Sequence, residues 1–217
     1  MTTIELVDVT KRIHKNTVID HVSATFTSGA IVGLKGINGS GKTMLMRLVS
    51  GLIKPTQGKI RINEHTLGQD ISFPESIGIL LENPAFLDPY SGLENLRMLA
   101  SIKNTVKDEQ IKKVIEIVGL DPEDKKKYRK YSLGMKQRLG IAAAIMESPD
   151  IIILDEPANS LDSDGVSIVK DIVTRERNRG ALVILACHDY EVLRLLADEI
   201  YVIEKGRITD HIKEAGA

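Results

Sequence analysis

"AIVGLKGINGSGKTMLMRLVSGL", residues 30–52, decides the architecture. A short apolar run leads into a glycine-rich turn, and a helical pattern follows. The turn "GINGSGKT", Gly36–Thr43, fits G-x-x-x-x-G-K-[ST] in full. A strand before it and a helix after it are the context this pattern needs. Its glycines let successive backbone N–H groups curl around phosphates, and the helix that begins here adds the positive end of its dipole. Candidate contacts are Asn38, Gly39, Ser40, Gly41, Lys42, Thr43 and Met44. Lys42 is expected to reach the terminal phosphate oxygens, and the Thr43 hydroxyl to ligate Mg²⁺.

Outward from this turn, short β-branched runs recur: "TIELVDV", "SIGILL", "DIIIL", "ALVILA" and "EIYVI". Several are apolar at consecutive positions, as strands covered on both faces are. Helical patterns alternate with them, beginning near Gly41, Gly92, Lys107, Ser132, Asp162 and Asp189. The alternation predicts an α/β fold with a P-loop NTPase core and a mostly parallel sheet. Residues 1–30 and 58–64 read as strands with no helix between them, which predicts a small N-terminal antiparallel β subdomain. From 84 to 147 the alternation stops. "ENPAFLDPYSG" is a loop signal on entry, "ESPD" marks the exit, and the pattern between is helical. The expected organisation is one domain over 1–217. Residues 1–83 and 148–217 form the core, and 84–147 an inserted helical subdomain.

Composition narrows the class. A chain of 217 residues with 42% hydrophobic and 27% charged residues can bury a sizeable core. Its formal net charge of −1 provides no field to recruit nucleic acid, so none is expected as a partner. The basic cluster "KKKYRK", Lys125–Lys130, reads as a solvated loop. The lone Cys187 excludes a disulfide framework and reads as a small core residue. "MTTIELVDVT" lacks the pattern of a signal peptide. No apolar run nears the roughly 20 residues that span a bilayer, so any membrane process needs another chain to do the spanning.

"IIILDEP", Ile151–Pro157, complements the turn. Four apolar residues predict a buried strand with two acids at its carboxyl end, where open α/β sheets bind ligands. Asp155 is expected to hold the metal. Glu156 is placed to polarise an attacking water.

"GINGSGKT", "YSLGMKQRLGIA", "IIILDEP", "NSLD" and "ACHD" follow one another in that order. The series resembles the ATP-binding subunit of an ABC transporter, over essentially the whole chain. The resemblance implies ATP with Mg²⁺, and a head-to-tail pair of nucleotide domains sandwiching two ATP. It implies a homodimer or a related second chain, a transmembrane permease subunit, and a peripheral place on the cytoplasmic face of the membrane. "YSLGMKQ" stands where the family shows L-S-G-G-Q, so Ser132 and the Gly134 backbone would face the γ-phosphate on the partner. Ser132 also sits as the N-cap of a helix, whose free N–H groups suit an anion. His188 occupies the place of the switch histidine beside Glu156. "NSLD" matches the loop joining the two sites, with Asp162 as its named residue or else a cap for the next helix. Glu82, in "GILLENP", stands where the family has a glutamine, near the metal. The groove along Glu82–Tyr90 is where a membrane subunit would dock.

Three departures from the family stand out. Ile13, in "TKRIHKN", takes the position of an aromatic that stacks on adenine. Met44 offers only its backbone N–H to the α-phosphate. Leu133 and Met135 replace a glycine and the glutamine of the signature. Lys42, Thr43, Asp155, Glu156 and His188 are intact, so a working if slow ATPase is expected. The signature with "LLENP" looks like the branch that exports bacitracin-like peptides, lantibiotics and other antimicrobials. The alternatives are a non-transport ABC ATPase acting on a soluble partner, and a module that binds nucleotide without turnover.

Overall fold

The computed structural model describes residues 1–213. In chain order the elements are β1 (Thr3–Ile13), β2 (Asn16–Thr27), β3 (Ile31–Lys35), α1 (Lys42–Val49), β4 (Gln57–Ile62), β5 (His65–Thr66) and β6 (Ile77–Leu80). Then come α2 (Gly92–Lys103), α3 (Asp108–Ile117), a 3₁₀ turn at Tyr128–Lys130, and α4 (Leu133–Ile145). The last are β7 (Ile151–Asp155), α5 (Ser163–Asn178), β8 (Leu182–Cys187), α6 (Tyr190–Leu196), β9 (Glu199–Glu204) and β10 (Arg207–Lys213).

The strands form two sheets. The larger has the order β10-β9-β3-β8-β7-β6. It is parallel from β9 to β6, and only β10 runs antiparallel, against β9. The smaller, β2-β1-β4-β5, is antiparallel throughout. This is the expected α/β class with its N-terminal antiparallel sheet. Between β6 and β7 the elements are helical, joined by a single isolated bridge from Ser91 to Lys127.

The pleat explains why the central strands are apolar at every position. Along β7, Ile152 and Leu154 pack into one core, while Ile151 and Ile153 pack into another. β8 divides likewise: Val183, Leu185 and Cys187 face one side, and Leu182, Ile184 and Ala186 the other. Successive side chains leave opposite faces, so a strand covered on both needs no polar position. The first core meets α2 to α6, and the second meets α1 and the antiparallel sheet. The large sheet is thus the middle layer, and its carboxyl edge is held rigidly.

Helix starts follow capping chemistry. Ser91 makes a reciprocal capping box with Glu94. Ser132, Asp162 and Asp189 each accept a backbone N–H at the start of α4, α5 and α6. Gly41 precedes α1 at φ 115°, a backbone that side-chain-bearing residues avoid. Gly78 has a different role: a Cβ there would lie 1.7 Å from the Ala144 carbonyl oxygen, so only glycine lets α4 seat against β6.

Candidate active site

β3, β7 and β8 end side by side, and the loops leaving them build the site. The Gly36–Gly41 loop leaves β3 and turns into α1. In it the buried Lys42 ammonium donates to the carbonyl oxygens of Gly36, at 2.6 Å, and Ile37, at 3.2 Å. Two neutral acceptors hold a cation that an incoming phosphate would satisfy better.

Beside it, the Thr43 hydroxyl donates to Asp155 Oδ2 at 2.6 Å. Burial pushes the Asp155 carboxyl above its ordinary range, against the pull of the Thr43 hydroxyl. A hydroxyl and a buried carboxylate in contact are hard oxygen donors, the set that fits Mg²⁺. The same charge would relieve the strained ionisation of Asp155.

Glu156 follows at φ 51°, a left-handed backbone uncommon outside glycine, asparagine and aspartate. Three contacts hold it. Its N–H donates to Ala186 O at 2.9 Å, its carbonyl accepts from Gln137 Nε2 at 2.9 Å, and its Oε2 lies 2.8 Å from His188 Nδ1. With Glu156 ionised, Nδ1–H is the donor and the neutral ring keeps Nε2 as an acceptor. Beneath this pair lies the Cys187 thiol, whose pKa is pushed up to about 11, first by burial and then by the nearby carboxylates.

Lys42, Thr43, Asp155 and Glu156 open on a cleft of about 570 Å³. Asn38, Gly39, Gly41, Lys42, Thr43 and Met44 form its floor, and Glu82, Asp155 and Glu156 line one side. Ser40 is buried behind the loop and faces a neighbouring hollow with His188. Glu82, at φ 61°, pairs its carboxylate with Arg47 of α1.

Ile13 is not on the cleft wall. It ends β1 opposite Asn16, and the wall there is formed by Thr17 and Val18 of β2. Ser132 and Gly134 also lie outside the cleft. Ser132 is exposed, and its Oγ accepts from Met135 N at 3.2 Å. Gly134 abuts Ser160 O and Leu161. Asp162 Oδ1 accepts from Gly165 N at 2.9 Å, so in this structure its carboxylate is a helix cap.

Sequence reasoning passed over Gln137, Arg47, Thr17 and Val18. Gln137 carried a faint signal, as one of the polar residues of "KQR" ahead of the apolar stretch "LGIAAAI". Arg47 carried none, since a basic residue in the last turn of a helix is ordinary.

Comparison with known proteins identifies the class. A family model described as ABC transporter matches residues 19–159. The chain is 48% identical over 205 residues to the ABC transporter ATP-binding protein YybJ of Bacillus subtilis, covering 94% of each. The bacitracin transport ATP-binding protein BcrA of Enterococcus faecalis is 36% identical over 211 residues, 96% of this chain and 68% of that one. The lantibiotic transport ATP-binding protein SrtF of Streptococcus pyogenes is 31% identical over 207 residues, 94% and 88% of the two chains. Among solved structures, the dimeric bacterial ABC transporter cassette MJ0796 superposes with a TM-score of 0.88 at 24% identity, over 99% of this chain and 100% of that one. The chain belongs to the ABC transporter family. It is an ATP-binding subunit of that family and an ATPase. Among the described residues, no helix is long and apolar enough to cross a membrane.

Proposed function

We propose that this chain powers a bacterial exporter of antimicrobial peptides or similar amphiphiles, conferring export or self-immunity. The names of BcrA and SrtF support that substrate class. The chain pairs head-to-tail with a second nucleotide domain, its own copy or a relative, around two Mg²⁺-ATP. It sits on the cytoplasmic face of the membrane, bound to a separate permease. Residues 84–147 act as the helical subdomain between core segments 1–83 and 148–217. The exposed Leu87 and Tyr90 in the segment after Glu82 suit the permease contact.

The observation that carries this reading is the split arrangement of the phosphate-binding parts. Lys42, Thr43, Asp155 and Glu156 share one cleft, while the capped, N–H-rich start of α4 faces solvent outside it. A second domain laid across the cleft would bring its own α4 start to the γ-phosphate, and the arrangement would be reciprocal.

In this mechanism Lys42 leaves its two carbonyls for the β- and γ-phosphate oxygens. Thr43 and Asp155, with Glu82 on the same cleft wall, would hold Mg²⁺, which would supply positive charge to the phosphates. Glu156 takes the proton of the attacking water. His188 fixes the Glu156 carboxylate through Nδ1 and turns Nε2 outward to the γ-phosphate side. General-base catalysis is worth on the order of 10²–10⁴ in rate.

The test is Glu156→Gln in the assembled transporter. Hydrolysis should fall by about that factor, with ATP still bound. Equal rates in variant and wild type would remove Glu156 from the role assigned to it.

A further inference from the structure

The mechanism leaves one nucleophilic side chain beside the hydrolytic centre unused: Cys187. Its Sγ, a carboxylate oxygen of Glu156 and a ring nitrogen of His188 all lie within 4.8 Å of one another. Zn²⁺ holds nitrogen, oxygen and sulfur at about 2.0–2.3 Å, which places tetrahedral ligands roughly 3.3–3.5 Å apart. Two of the donors, His188 Nδ1 and Glu156 Oε2, are already 2.8 Å apart. Small side-chain rotations therefore complete a three-ligand site with one position left to water.

The scaffold holds the backbone that carries these donors close together before any ion arrives. Cys187 ends β8 and is paired with Lys35 of β3. Glu156 is tied to the same strand by its N–H bond to Ala186 O. His188 is largely exposed and provides the path of entry. The donor chemistry discriminates as well. A sulfur, an imidazole nitrogen and one carboxylate suit a borderline-soft ion. Mg²⁺ prefers the oxygens of Thr43 and Asp155.

We propose that Glu156, Cys187 and His188 form a Zn²⁺ site overlapping the hydrolytic centre, and that its occupation switches hydrolysis off. Binding exchanges the thiol proton for the metal and releases that proton to solvent. The His188 ring moves its Nδ1 proton to Nε2 and stays neutral, which ends its hydrogen bond to Glu156 and frees Nδ1 as a ligand. No electrons move. With Zn²⁺ bound, the Glu156 carboxylate is no longer free to accept a proton from water, and His188 can no longer orient it. Metal binding rests on the donor geometry alone. The loss of turnover rests on the roles proposed above for Glu156 and His188.

The first experiment titrates the full chain, free of nucleotide, with Co²⁺ as a spectroscopic stand-in and then with Zn²⁺. One ion per chain should bind, with a thiolate-to-cobalt charge-transfer absorption that Zn²⁺ abolishes. Cys187→Ala should lose the absorption, and each of Cys187→Ala and His188→Ala should weaken binding about tenfold or more. His188 is exposed, so its variant tests the site even if Cys187→Ala folds poorly. Absence of saturable binding, or binding unchanged in both variants, overturns the site.

The second experiment measures ATP hydrolysis by the assembled transporter. Zn²⁺ should inhibit the wild type and a chelator should restore it. Cys187→Ala, with Mg²⁺ alone, should hydrolyse like the wild type and resist Zn²⁺. Metal bound with its thiolate signature but full turnover overturns the switch and the proposed role of Glu156, while leaving the site standing.

Discussion

Ser132 can be separated into cap and phosphate ligand by two substitutions. Its Oγ accepts one hydrogen bond, from Met135 N at 3.2 Å, at the start of α4. Losing an N-cap serine costs about 1 kcal/mol, so Ser132→Ala should lower the melting temperature by roughly 2–4 °C in a chain of this size. Aspartate caps about as well as serine, so Ser132→Asp should melt with the wild type. On the proposed reading the two then diverge in turnover. Ala loses a hydrogen bond to a charged phosphate, worth about 1.5–3 kcal/mol, or roughly ten- to a hundredfold. Asp adds a like charge near the partner's γ-phosphate. At about 4 Å and an effective dielectric of about 20, each pair of charges costs about 4 kcal/mol, close to a thousandfold. The assays are thermal melting of the isolated chain and steady-state hydrolysis by the assembled transporter. If Ser132→Asp keeps both its stability and its turnover, Ser132 is a cap and nothing more, and the cross-domain site loses its first residue.

Three further outcomes are expected. Glu82→Gln removes a surface ion pair with Arg47, which is worth under about 1 kcal/mol, so melting should barely change. It also removes a negative charge from the cleft wall, so the Mg²⁺ needed for half-maximal hydrolysis should rise several-fold; an unchanged Mg²⁺ profile would take Glu82 out of the metal's surroundings. Gly78→Ala drives a Cβ into the Ala144 carbonyl and should cost about 3 kcal/mol or more, read as a lower melting temperature. The Ser91 backbone N–H, and next Lys127, hold the Glu94 carboxyl down at about 2, from an ordinary 4.5. A carboxyl lowered on folding contributes stability above its unfolded pKa and loses it as pH falls towards the folded one. Melting temperature should therefore drop less steeply between pH 4.5 and 2 in Glu94→Gln than in the wild type; parallel curves would deny the capping box that role.

Most of the fold was legible because its signals are local. Among the described residues, five of the six helix starts are marked by a capping residue or the P-loop glycine, and all six lie within one residue of where the chain chemistry puts them. The buried strands declare themselves by being apolar throughout. β5 and β10 did not: one has two residues, and the other is a polar edge strand reading "RITDHIK". In the site, Lys42, Thr43 and Asp155 were readable because the motif specifies both chemistry and position. Where Ile13 stands relative to the cleft was not readable, because it depends on how a hairpin turns, a property of the tertiary path. Gln137 and Arg47 escaped notice because their importance lies in a partner far along the chain: the Glu156 carbonyl for one and the Glu82 carboxylate for the other.

One helix links the three loops that surround the nucleotide. At Gly134, α4 rests against Ser160 and Leu161, in the loop ahead of α5. Three residues on, Gln137 bonds the Glu156 carbonyl. Three further on, Gly140 is packed against Pro84 and Leu80, flanking Glu82. Spacings of three place these residues near one stripe of the helix. Their contacts are too close to absorb independent motion, because added Cβ atoms at Gly134 and Gly140 would come within 3.2 and 2.8 Å of their neighbours. A packed interior transmits such displacements instead of damping them. On the proposed reading, a phosphate contact at Ser132 would bear on a helix that also holds the backbone of Glu156 and packs against the segment proposed to meet the permease. The close packing at Gly134 and Gly140 is a role no phosphate-binding motif in the sequence announces.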